Sequence, residues 1–334
     1  MLVYAGIDEA GYGPLFGPLA VGRCVLEVPA LPGPAADADP LAWRPPDLWA
    51  RLSKVLCRTV GEAKRSGRIP VNDSKKLTGR AAGLAHLERG VLAFAALGGR
   101  RPADEDAWFA GVAAGLPAPL PPWYALASPP PLPAALDAGE LAVSRGALAA
   151  AAARIGVGAE PLQVAVVLEE AFNAESAGPG GKAAVNLARV MGRLRDLWRR
   201  RGTDGPVAAV DRQGGRTRYR AALCAAFPGV GVEVLAERPD LSAYRLSEPD
   251  AGRSMLVRFE VGAEERHLPV ALASMAAKYS RELLMGRFTA FFRGVAPGVG
   301  PTKGYGADAV RFAGEIAPHL AAAGIDPRSL RRVC

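Results

Sequence analysis

The sequence predicts an α/β architecture in which short buried strands and helices alternate around one sheet. Three observations lead there. Short apolar runs rich in β-formers alternate along the chain with stretches of helical periodicity. Acids close two of those runs, at Asp8/Glu9 and at Asp211, and in open α/β sheets functional side chains gather at strand ends. Half of the 334 residues are hydrophobic, enough to bury a sheet beneath layers of helix.

In order along the chain, LVYAGI (Leu2–Ile7) reads as a buried strand ended by the acids and Gly11. LAVGRCVLEV (Leu19–Val28) reads as a second strand, which makes the Gly/Pro segment between them a tight loop. Pro29–Pro46, rich in Pro, Ala and Asp, reads as a surface loop. Leu48, Leu52, Val55 and Leu56 recur at helical spacing, so a helix is expected through DLWARLSKVLC, and another after Thr78 as N-cap. Residues 101–158 include the Pro-dense GLPAPLPPWYALASPPPLPAAL, which can continue neither a helix nor a central strand. They are expected to form an insertion over the surface, ending in one helix at RGALAAAAARIG. The whole chain, 1–334, is otherwise a single domain. LQVAVVLEEAFN then predicts a strand, KAAVNLARVMGRLRDLWRRRG a strongly amphipathic helix with a basic end, and GPVAAV another strand, ended by Asp211. A long helix over LPVALASMAAKYSRELLMGRFTAFF and a last one over Asp308–Ala323 complete the reading.

Composition narrows the function. With 41 Lys+Arg against 33 Asp+Glu, the formal charge of +8 suits a polyanionic partner, nucleic acid above all, although a solubilising surface would look the same. Three histidines, and four cysteines scattered without a CxxC pair, argue against zinc or a His-based triad and for a reduced, cytoplasmic protein. No basic leader with an apolar core precedes Asp8, so no signal peptide is expected, and no apolar run reaches membrane-spanning length. Nothing points to an oligomer, so a monomer is expected.

Asp8, Glu9 and Asp211 demand a chemical reason. Carboxylates gathered at strand ends without partners raise each other's pKa. A divalent cation removes that conflict, and hard oxygen ligands favour Mg²⁺ or Mn²⁺. Adjacent strand residues face opposite ways, so joint use of Asp8 and Glu9 requires a backbone bend, which Gly11 and Gly13 permit. A lone strand-end acid such as Asp211 is otherwise a helix cap or turn residue. The Gly11-x-Gly13-x-x-x-Gly17 spacing differs from a dinucleotide-binding loop, and the acids before it would repel a pyrophosphate.

At these residues the sequence resembles the type 2 ribonucleases H, the ribonuclease HII and HIII enzymes. GIDEAGYGPLFGPL is similar to their opening DEAGRGPLxGP or DESGKGDYFGP motif. NDSKKLT (Asn72–Thr78) matches their D-S-K-K-L segment. In AAVDRQGG, Asp211 and Gln213 resemble the third-acid strand of HIII, EERHLPVALASMAAKYSRE (Glu264–Glu282) resembles the HIII segment E-S-K-H-L-A-V-A-V-A-S, and KGYG (Lys303–Gly306) the KGY-T motif of HII. Five motifs stand in the family's order and span the chain outside the insertion.

The resemblance implies a ribonuclease H-like fold, a central mixed sheet flanked by helices. It implies a metal-dependent endoribonuclease acting on RNA in RNA–DNA hybrids or on DNA containing ribonucleotides, and leaving 5′-phosphate and 3′-hydroxyl ends. Asp8, Glu9, Asp211 and Glu264 would hold two Mg²⁺ or Mn²⁺ ions, with Glu265 the neighbouring alternative to Glu264. Gly11, Tyr12, Gly13, Lys75, Lys76 and Tyr305 would meet substrate. The chain also departs from the pattern. Tyr12 stands where the family carries Arg or Lys, Ala307 and Val310 replace a Thr and a His, and Asp8 lies too near the start for the N-terminal domain of HIII. A non-catalytic nucleic-acid-binding relative is the alternative, although clustered carboxylates would only weaken a pure binder of polyanions.

Overall fold

The computed structural model describes residues 1–29, 41–78, 83–112 and 116–333. Most of the Pro29–Pro46 segment, and Cys334, lie outside them. The strands are β1 (Leu2–Ala10), β2 (Leu19–Val28), β3 (Leu56–Cys57), β4 (Ile69–Pro70), β5 (Gly158–Ala159), β6 (Gln163–Val167), β7 (Val207–Asp211), β8 (Gly231–Glu237), β9 (Leu241–Glu248) and β10 (Arg253–Glu260). β3 and β4 form a separate parallel pair; the others make one mixed sheet in the order β5-β2-β1-β7-β10-β9-β8, with β6 also beside β2. β1 pairs antiparallel with β2 and parallel with β7, and β7 runs parallel to β10, so three strand ends carrying acids point the same way.

The central strands read as continuous apolar runs because both faces are covered. Leu2 and Tyr4 of β1 join one core layer and Val3, Ala5 and Ile7 the other. The 28-residue helix Leu268–Val295 covers the first face; the 21-residue helix Gly181–Arg201, with Val190, Met191, Leu194 and Trp198 turned inward, covers the second.

Glycines set how closely the long helix lies on the sheet. A Cβ on Gly22 would sit 2.1 Å from the Ala273 carbonyl oxygen, and one on Gly6 would sit 2.1 Å from Pro269 and Val270 backbone atoms. Backbone cannot give way as a side-chain tip can, so Gly22→Ala should lose about 3 kcal/mol or more in urea denaturation. Gly192→Ala, inside a helix with nothing within 4 Å of its Cβ position, should be neutral or stabilising in the same experiment.

Several expectations need correction. The strand expected over LQVAVVLEEAFN ends at Val167, and Glu169–Ser176 is helical. β1 does not stop at Ile7: Asp8, Glu9 and Ala10 stay paired with Gly22, Val21 and Ala20. The stretch from Leu48 is helical only to Arg51, because Leu56 and Cys57 turn to pair with Ile69 and Pro70. Thr78 caps the C-terminus of a short helix, Ser74–Leu77, whose N-cap is Asp73.

Residues 101–158 are more than a surface covering. Trp108 and Tyr124 are buried, and Trp108 Nε1 donates to Ser280 Oγ at 3.0 Å. The buried Arg287 of the long helix binds Glu105 at 2.6 Å and the Tyr124 carbonyl at 3.2 Å. Glu88, fully buried, accepts backbone N–H bonds from Ala134, Ala135 and Leu136, which fixes the Pro-rich stretch from beneath. Such a segment satisfies the buried polar groups of the helix it covers.

Candidate active site

Asp8 and Glu9 sit in unbroken strand, so their side chains leave the sheet on opposite faces, as strand periodicity requires. The expected bend between them is absent; the chain turns only at Gly11, at φ 82°. Asp8 emerges on the side of the long helix, beside Ser274, and its Oδ1 accepts the Glu9 N–H at 2.7 Å. Glu9 emerges on the side of helix Gly181–Arg201 and accepts a hydrogen bond from the buried Asn186 amide. Both reach one cleft because they lie near the C-terminal end of β1, just before the chain leaves the sheet.

Asp211 ends β7 and accepts the Ala263 N–H at 2.9 Å, so the turn that delivers Glu264 is hung on another acid of the cleft. A cavity of about 210 Å³ is lined by Asp8, Glu9, Asp211 and Glu264 together with Gly11, Tyr12, Gly13, Lys75 and Tyr305. The larger hollows among the described residues, such as those beside Trp198 and Met285, hold no such concentration of acids.

Lys76 is the one expected site residue that does not line the cavity. Its ammonium is held by Glu265 at 2.6 Å, and both side chains are exposed. The same contact separates the two candidate fourth acids. Glu264 faces the cleft with Oε2 buried and without a hydrogen-bond partner, whereas Glu265 faces outward to Lys76.

The carboxylates burden one another. Burial raises the Asp8 pKa well above the ordinary aspartate range, and Glu9 and Asp211 raise it further. Burial and the neighbouring Glu264 push Asp211 up to about 7, against the pull of the Ala263 N–H. Glu9 is raised by burial, although the Asn186 hydrogen bond and Lys75 draw it back. As they stand, no three acidic, His or Cys side chains among the described residues converge into a ready-made metal site. The donor set nonetheless suits a hard divalent cation. It is all oxygen, it is in mutual repulsion, and it includes an orphaned buried oxygen on Glu264.

The rim is aromatic and basic. Tyr305, 41% exposed, lies over the buried Arg281 guanidinium at 5.1 Å, and Arg281 Nη2 ties the carbonyls of Phe16 and Lys303 together. Arg332 anchors the carbonyls of Gly11 and Pro14, and Glu169 accepts the Gly17 N–H at 2.9 Å and the Tyr124 hydroxyl. The loop that carries Tyr12 is therefore braced from below by three buried charged side chains. Ser74, Asp73 and Lys278 also line the cleft and Asn186 supports it, although none was singled out from the sequence. Ser74, Asp73 and Lys278 lie inside the recognisable DSKKL and LASMAAK segments; Asn186 carries no local signal.

No protein-family model matches the sequence, and no curated protein matches it. Among solved structures, the chain is similar over 99% of its length to ribonuclease HII in its PCNA complex from Archaeoglobus fulgidus, with 17% identity, 94% of that chain covered and a TM-score of 0.45. Over 99% of its length it is similar to Bst-RNase HIII in complex with Mn²⁺, with 15% identity, 66% of that chain covered and a TM-score of 0.48. Over 98% it is similar to ribonuclease H2 from Pyrococcus horikoshii OT3, with 15% identity, 92% of that chain covered and a TM-score of 0.43.

Proposed function

We propose that this protein is a type 2 ribonuclease H, a metal-dependent endoribonuclease that hydrolyses the RNA strand of RNA–DNA hybrids or DNA at embedded ribonucleotides. The observation that carries the reading is the convergence of Asp8, Glu9, Asp211 and Glu264 on one cleft that also receives the Gly11-Tyr12-Gly13 loop, Lys75 and Tyr305. Five ordered motifs that resemble the family supply these residues from distant parts of the chain.

Two Mg²⁺ or Mn²⁺ ions held by the four acids would supply an activated water and neutralise the charge of the phosphate and the leaving oxyanion. The protein's own part is positional. Ser274 stands beside one carboxylate and Asn186 holds another, on opposite faces of β1. Gly13, with nothing within 4 Å of its Cβ position, leaves room for a sugar–phosphate backbone at the mouth of the cleft. Lys75 extends beside Glu9 to meet a phosphate, and the exposed Tyr305 ring offers a face for a sugar. The free thiols Cys24, Cys57 and Cys224 suit a reducing cytoplasm, and no helix among the described residues is long and apolar enough to cross a membrane.

The test is cleavage, with Mg²⁺ or Mn²⁺, of an RNA/DNA hybrid, a DNA duplex with one ribonucleotide, an all-DNA duplex and an all-RNA duplex. Cutting is expected in the first two alone, with 5′-phosphate and 3′-hydroxyl ends and complete loss in EDTA. A protein that binds these duplexes and cuts none of them would be a binding relative instead.

A further inference from the structure

A phosphodiester entering this cleft meets four carboxylates, so cations at its rim decide how tightly it is held. Two of them are already engaged. Lys76 is held by Glu265 at 2.6 Å, and Lys278 is held by Glu282 at 2.5 Å. Lys75 remains available beside Glu9. A further cation is Lys182, in the first turn of helix Gly181–Arg201, one turn before the Asn186 that holds Glu9. Its ammonium lies 5.5 Å from the centre of the Tyr12 ring and makes no ion pair or hydrogen bond with any described residue.

We infer that Lys182 is a substrate-binding residue of this enzyme, held against the Tyr12 ring so that its ammonium meets a backbone phosphate where it passes the Gly11-Tyr12-Gly13 loop. The inference rests on the proposed function and adds to it a residue that no motif contains. Tyr12 itself is uncharged in the working pH range and cannot neutralise a phosphate, but its ring face attracts a cation and fixes where it sits. A half-buried lysine without a carboxylate partner, aligned by an aromatic ring at the mouth of an acidic cleft, is free to exchange its water for a phosphate oxygen.

The experiment compares wild type, Lys182→Ala, Lys182→Arg and Tyr12→Ala. Hybrid cleavage is followed in Mg²⁺, and binding of a fluorescent RNA/DNA hybrid is followed in EDTA over a salt series. Lys182→Ala should raise KM about tenfold, with the loss falling on KM rather than kcat, and should lower the salt slope of binding by about one phosphate contact. Lys182→Arg should restore most of both. Adding Tyr12→Ala to Lys182→Ala should cost little more than either change alone, because the two act as a unit. An unchanged KM and salt slope in Lys182→Ala, beside a wild type that cleaves, would overturn the inference and leave the function standing. A wild type that cuts nothing, with the salt slope still lowered in Lys182→Ala, would overturn the function and leave Lys182 as a phosphate contact. An unchanged slope in that case would overturn both.

Discussion

Asp8→Asn should reduce hybrid cleavage in Mg²⁺ on the order of a thousandfold, about 4 kcal/mol of barrier at tenfold per 1.4 kcal/mol. Asp8 is the acid placed to matter most: it is 8% exposed, it feels both Glu9 and Asp211, and it lies in β1 beside the parallel strand that ends in Asp211. The amide keeps the shape and the Ser274 contact but removes the charge that a divalent ion needs. Binding of the hybrid in EDTA should hold or tighten, since one negative charge has left the path of a polyanion. That opposition between lost catalysis and retained binding separates a ligand from a residue needed only for folding. Glu264→Gln should fall with Asp8→Asn, whereas Glu265→Gln, whose side chain faces Lys76 outside the cleft, should stay within about twofold of wild type. If Glu265→Gln were the inactive one, the assignment of the fourth acid would be reversed. If Asp8→Asn still cut at near wild-type rate, the two-metal reading would fail.

What the sequence disclosed and what it concealed divide along a physical line. β2 was legible to its ends because its apolar run is bracketed by Pro18 and Pro29, which cannot continue a ladder. The long helix was legible because its buried small residues mark a face pressed against backbone, as Gly6 and Gly22 show from the other side. Leu48, Leu52, Val55 and Leu56 misled because helical spacing only says that these side chains turn inward; a single turn followed by a bridge to Ile69 buries Leu48, Leu52 and Leu56 and half-buries Val55 equally well. β8 and β9 went unread because they lie toward the edge of the sheet, and Gly231–Glu237 exposes most of its side chains. At the site, the acids and the Gly-Tyr-Gly loop announced themselves through local motifs. Asn186 and Lys182 did not, because nothing near them in sequence indicates that their helix crosses the open end of β1. Tyr124, in a segment read as a surface insertion, reaches the loop that carries Tyr12 through Glu169 for the same reason.

The metal-free protein should be most stable near pH 4 and should weaken steadily up to about pH 7, in contrast to most proteins, whose stability is broad across the neutral range. The acid side is set by Glu260. Burial opposes its ionisation, but His267, Arg258 and their hydrogen bonds hold its pKa at about 2. A carboxyl depressed on folding stabilises above its ordinary pKa, and that contribution is lost as pH falls toward 2. The neutral side is set by Asp211, raised from 3.8 to about 7 by burial and by Glu264. A carboxyl raised on folding does the reverse: its contribution is whole below the ordinary range and is lost as pH climbs through 7. The difference is on the order of 4 kcal/mol, which at this chain length lowers Tm by about 5–10 °C. A divalent ion that binds only the folded, ionised cleft should recover this at pH 8, by about 2.7 kcal/mol at a hundred times its Kd. In Asp211→Asn the neutral-side loss should shrink in EDTA, and the rise with Mn²⁺ should shrink with it, because one substitution removes both the conflict and a ligand that resolves it. Thermal melts of both proteins from pH 4 to 8, with EDTA or Mn²⁺, measure this without reference to any substrate. A wild-type Tm that is flat from pH 5 to 8 in EDTA and unmoved by Mn²⁺ would mean that these carboxylates neither repel one another nor hold a cation.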